Sequence, residues 1–117
     1  MANDNALQAG IPELMVLRLL HDREMYGYEI VQAIASKSRQ VVTPGEGVVY
    51  PLLHGLEKDG ALKSRRKTVS GRSRVYYSLT ARGEKRLSTL TDHWAALNTA
   101  VEAVLGFDAT AENAYAV

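Results

Sequence analysis

The sequence predicts a mainly α-helical chain carrying one small β-hairpin. Three observations lead there. Apolar residues recur at three- and four-residue steps in separate blocks before Gly60, the spacing turns to strand-like just after it, and the helical spacing resumes beyond Thr80.

The first helix is expected from about Leu7 to His21, with Leu7, Ile11, Leu14, Met15, Leu17 and Leu20 forming a broad buried stripe. The turn His21-Asp22-Arg23-Glu24-Met25 leads into Tyr26-Gly27-Tyr28-Glu29. Ile30, Val31 and Ile34 then mark a short second helix ending near Ser36 to Ser38, where Tyr26 and Tyr28 pack or cap. Val41 and Val42 form no more than a brief extended link.

Thr43-Pro44-Gly45-Glu46 has the form of a capping box: a hydroxyl for the N–H three residues on, a glutamate reaching back, and a proline whose missing N–H costs nothing there. A third helix is therefore expected over about Gly45 to Lys58, with Val49, Leu52, Leu53 and Leu56 inward and Asp59-Gly60 as its stop. Pro51 predicts either a kink or a later start than the capping box suggests.

Leu62 to Lys67 and Arg74 to Leu79 read as two strands, with Val69-Ser70-Gly71-Arg72 as the hairpin turn between them. Thr80, with Glu84 in the next turn, caps a last helix. Along it Leu87, Leu90, Trp94, Leu97, Val101 and Val104 alternate steps of three and four, the pattern of a coiled-coil seam that calls for a second helix.

Charge is distributed unevenly over these elements. Ten of the fourteen Lys and Arg lie between Lys58 and Arg86 together with two of the thirteen acids, a formal +8 there against −7 elsewhere. Phosphate suits so dense a basic segment, because each cation that neutralises a phosphate releases condensed counterions. A merely solvated charged face is the plainer alternative.

Other classes are poorly served. The 117 residues fit one small domain, there is no apolar run of about 20 residues to span a membrane, and the N-terminus lacks a signal peptide's pattern, so a cytoplasmic location is expected. No cysteine is present, and His21, His54 and His93 are too scattered to suggest a metal site. No nucleophile–base pairing or glycine-rich phosphate loop occurs, so neither catalysis nor a cofactor is expected.

Three helices followed by a β-hairpin is the order of a winged helix-turn-helix, in which the third helix enters the major groove and the wing lies on the backbone. The expected layout is a winged helix-turn-helix over residues 1–80, a C-terminal dimerisation helix over 81–107 and a flexible tail over 108–117.

Tyr26-Gly27-Tyr28-Glu29-Ile30, the run from Gly47 through Val48-Val49-Tyr50-Pro51-Leu52-Leu53 to Gly60, and Gly71-Arg72 with Arg74 and Tyr76-Tyr77-Ser78-Leu79-Thr80 together resemble the PadR family of bacterial transcriptional regulators. The resemblance spans roughly residues 10 to 105, and the short terminal helix is similar to the compact, multidrug-responsive branch. It implies a homodimeric repressor of double-stranded operator DNA that a small molecule or stress signal releases. A winged-helix module for protein–protein contact alone is the competing reading.

Carried onto this chain, the resemblance gives a DNA-facing set of Thr43, Glu46, Val48, Tyr50 and His54, with Lys67, Arg72, Arg74 and Tyr77 on the wing. Tyr50 either faces DNA with His54 or packs on helix two. Tyr76 and Tyr77 point to opposite sides of their strand, one to the core and one outward. Val48 stands where many members have Ser or Thr, and Gly55 where a polar residue is common, which shifts the expected burden of affinity to the wing. The implied dimer contacts are Leu14, Leu87, Leu90, Trp94, Leu97, Val101 and Val104. Trp94, with Leu97, either stacks a planar aromatic effector against its symmetry mate or simply packs the dimer core.

Overall fold

The computed structural model describes residues 2–107, with side chains from Gly10 onward. The elements are α1 (Ala2–Asp22), β1 (Met25–Tyr26), α2 (Gly27–Lys37), α3 (Glu46–Lys58), β2 (Leu62–Val69), β3 (Arg72–Leu79) and α4 (Ala81–Leu105). The expected tail over 108–117 and the side chain of Leu7 lie outside the described residues.

The chain divides into two compact units, with the boundary inside α4 between Leu87 and Ser88. The core of the first unit comes from every element before that boundary. Val16 and Leu17 of α1, Ile30 and Ile34 of α2, Val49 and Leu53 of α3 and Leu62 of β2 are its most deeply buried side chains. Fully burying each large apolar side chain stabilises by about 1.5–3 kcal/mol. On α1 the buried stripe runs through Val16, Leu17, Leu19 and Leu20, while Ile11, Leu14 and Met15 are only half-buried. The helical period was legible, but the stripe is rotated toward Val16 and Leu19.

Helix α3 begins at Glu46 with Gly45 as its N-cap and no side-chain capping bond. Thr43 is therefore not the cap, which corrects the capping-box expectation. Val48 and Val49 N–H groups bond instead to the Gly45 carbonyl at 3.0 Å. The later start places Pro51 in the second turn, where it lacks the N–H that would otherwise bond to the Gly47 carbonyl four residues back. The expected stop is present as a Schellman closure. Gly60 adopts φ +84°, and Ala61 N–H reaches back to the Leu56 carbonyl at 2.9 Å.

β2 and β3 form an antiparallel ladder from Leu62↔Leu79 to Val69↔Arg72. Ser70 (φ 53°) and Gly71 (φ 78°) make the two-residue turn, both left-handed as a tight hairpin requires. The sheet has a third strand that the sequence spacing did not suggest: β1 pairs with β3 through Met25↔Tyr77 and Tyr26↔Tyr76, giving the order β1-β3-β2.

Thr80 caps α4 as expected, its hydroxyl accepting the Gly83 N–H at 3.0 Å. Gly83 is buried here, and a Cβ on it would overlap the backbone carbonyl oxygen of Ala61. The start of α4 is tied to α1 by Arg86–Glu13 at 2.7 Å and by His21–Glu84 at 2.7 Å. In the second unit α4 continues to Leu105, where Gly106 (φ 81°) ends it and Phe107 N–H bonds back to the Glu102 carbonyl at 2.9 Å.

Candidate nucleic-acid interface

Side chains alternate across a strand, so the register of the hairpin sorts the wing's cations into two sets. Lys67 lies opposite Arg74 and Arg65 opposite Tyr76, whereas Arg66 lies opposite Val75 on the other face.

On the first face Arg65, Lys67 and Arg74 are engaged within the chain. Lys67 Nζ donates to Glu24 Oε2 at 2.6 Å and sits 4.6 Å from the centroid of the Tyr76 ring. Arg65 reaches the same carboxylate with Nε at 3.2 Å and Nη2 at 2.9 Å. Hydrogen bonds from Arg65 and Lys67 hold the Glu24 carboxyl down to about 2. Arg74 lies 4.2 Å over the Tyr26 ring, and Tyr26 meets Tyr76 edge-on at 5.4 Å. Lys67, expected on the wing, is turned by the pleat away from Arg66 and toward Glu24.

The second face opens on a groove between α3 and the wing, a cavity of about 540 Å³. Tyr28, Tyr50, His54 and Arg66 line it, and Arg72 and Arg74, which alternate with the groove-lining Ser73 and Val75, border it as well, Arg74 while stacked on the Tyr26 ring; no carboxylate among the described residues lines it. Arg66 Nη1 donates to Ser73 Oγ at 3.3 Å, and neither Arg72 nor Arg74 has a carboxylate partner among the described residues. The result is a concave, aromatic, cationic surface suited to a phosphate backbone.

Tyr50 does pack toward α2 while still lining this groove. Its ring occupies the space beside Gly27, where a Cβ would come within 2.5–2.7 Å of the ring atoms. Of the β3 tyrosines, the sequence expected one to face outward, and that is corrected: Tyr76 and Tyr77 are both buried. Tyr76 is covered by Tyr26 and Lys67, and Tyr77 contributes only to the groove floor, where burial, with Glu57 and Tyr50 nearby, pushes its phenol up. Thr43, Glu46, Val48 and His54 are exposed.

Arg66 and Glu24 were missed by sequence reasoning, and Tyr28, expected to pack or cap, is exposed and lines the groove instead. The Ser70-Gly71 turn held the signal for Arg66, since it sets the register that separates Arg66 from Lys67. Glu24 had no local signal.

Leu87, expected on the seam, is instead buried in the first unit, where the opening turns of α4 complete the core. Leu14 and Leu90 are half-buried. In the second unit Trp94, Leu97, Val101 and Val104 are exposed, and Val104 is 88% accessible.

A trihelical core, a two-stranded wing and a cationic groove between its third helix and that wing define a winged helix-turn-helix protein. The family model described as the transcriptional regulator PadR-like family matches residues 16–89. The chain belongs to this family of transcriptional regulators. It is 36% identical over 93 residues to a transcriptional regulator of Mycobacterium tuberculosis, covering 77% of this chain and 81% of the relative. A PadR-like transcription factor from Bacteroides fragilis superposes with a TM-score of 0.70 at 31% identity, over 89% of this chain and 99% of the other. The fold is also shared with Bacillus subtilis PadR, solved in complex with operator DNA, at a TM-score of 0.60 and 24% identity over 66% of this chain and 44% of that one. No helix among the described residues is long and apolar enough to cross a membrane.

Proposed function

We propose that this chain is a homodimeric, DNA-binding transcriptional repressor that a small-molecule or stress signal releases from its operator. The observation that carries the reading is the groove between α3 and the wing, where three arginines converge with no carboxylate among the lining residues. Bacillus subtilis PadR, which shares the fold, was solved in complex with operator DNA, and that supports DNA as the partner. α3 enters the major groove and Arg66, Arg72 and Arg74 bind phosphates on the wing side. Residues 81–107 supply dimer contacts through Leu90, Trp94, Leu97, Val101 and Val104, and Leu14 on α1 supplies another. A two-fold symmetric operator follows, with half-sites about 10 bp apart.

Footprinting on DNA flanking the coding region tests the reading. A symmetric protected segment whose affinity falls steeply with salt is expected. Salt-insensitive binding to a protein partner, with no retardation of DNA, would instead establish a protein–protein module. For the signal, Trp94 and Leu97 are exposed where a planar aromatic molecule could stack in a dimer. Quenching of Trp94 fluorescence by planar cationic dyes at micromolar concentration is expected, and its absence removes the drug-pocket version.

A further inference from the structure

The exposed face of α3 carries few groups able to read a base edge by hydrogen bonding. Gly47, Val48, Pro51, His54, Gly55 and Lys58 are exposed and recur at three- and four-residue steps, opposite buried Val49, Leu53 and Leu56. No Arg, Asn or Gln stands among them, and Lys58, in the last turn, is the one side chain there of the kinds that pair bidentately with guanine or adenine. Val48 is 51% exposed in the first turns.

The two glycines on this face have no explanation inside the chain. Glycine within a helix is destabilising relative to alanine. A Cβ at Gly47 or Gly55 would meet nothing within 4 Å, and neither residue takes a positive φ. Gly27 and Gly83 differ, since each is fitted against Tyr50 or the Ala61 backbone. What Gly47 and Gly55 provide is a bare helix backbone facing outward, on the same helix as the groove-lining Tyr50 and His54.

We propose that α3 reads DNA by close apolar approach: Gly47 and Gly55 let the helix backbone sink into the major groove, and Val48 with Pro51 packs against thymine 5-methyl groups. Thymine alone among the four bases displays a methyl there, so apolar contact discriminates without a hydrogen bond. This rests on the DNA-binding function proposed above and names what that same face recognises.

The full chain is used to select duplexes from a random-sequence pool, and the best is resynthesised with deoxyuridine in place of thymine, a change that removes only the methyl. Binding is expected to weaken by roughly fourfold per contacted thymine, the factor for burying one methyl-sized group. Val48→Ala should lose a similar factor on the thymine duplex and be indifferent to uracil. Gly55→Ala should raise the thermal unfolding midpoint and yet weaken binding. Equal affinity for the two duplexes, or Gly55→Ala binding as tightly as the parent, overturns the proposal while leaving DNA binding intact. Enrichment of no duplex at all overturns both.

Discussion

Lys67 Nζ and Glu24 Oε2 lie 2.6 Å apart, and Arg65 shares the same carboxylate at 2.9 Å, so one acidic side chain ties two cations of β2 to the segment ahead of β1. Wing and trihelical core are joined there by charge as well as by the ladder between β1 and β3.

The pH dependence of that tie has a definite sign. Glu24 is held below its ordinary value of 4.5, at about 2, so its stabilising contribution is full above 4.5 and is lost as pH falls through about 2. Thermal unfolding of the parent and of Glu24→Gln, followed from neutral to acid pH, should show the parent more stable at pH 7. The difference should shrink between about 4.5 and about 2. A difference independent of pH over that window would show that the carboxylate charge is not what the contact uses.

Sorting of the cations by strand face predicts unequal effects on DNA. Arg66→Ala removes a groove arginine and should lower the salt slope of binding by about one unit. Arg65→Ala, on the opposite face with Glu24, should leave the slope nearly unchanged. Titrations at several salt concentrations decide between these outcomes and equal effects at both sites.

Gly83→Ala should destabilise the fold by about 1–3 kcal/mol or more, because the new methyl runs into the backbone oxygen of Ala61 rather than into a side chain that could move. Urea unfolding measures it. Leu53→Ala, at a fully buried site on α3, should cost about 2–5 kcal/mol by leaving a cavity.

Val101→Glu places a charge among the exposed apolar residues of the second unit. Sedimentation should show monomers for this variant against dimers for the parent, with the helical content retained. A dimer that persists unaltered would move the interface elsewhere.

Much of this architecture was legible along the chain, because helix period, Gly60 as a stop and Thr80 as a cap are local properties that neighbouring residues dictate. The Ser70-Gly71 turn belongs with them, since a two-residue hairpin selects residues that tolerate positive φ. The beginning of α3 was harder to place. Thr43-Pro44-Gly45-Glu46 satisfies the capping-box pattern, yet Gly45 takes the cap and no side-chain bond forms.

What the sequence determined by itself was the order of the four helices and the hairpin, the concentration of positive charge after Lys58 and the family to which the motifs pointed. Tertiary structure decided which of those charges are available. β1 is two residues long and exists only by pairing with β3, so no periodicity could announce it. Its arrival brings Tyr26 onto Arg74 and Tyr76, while Glu24 just ahead of it takes up Arg65 and Lys67. Contacts between residues some forty positions apart have no signature in local spacing. They separate a wing cation engaged within the chain from one that faces the groove.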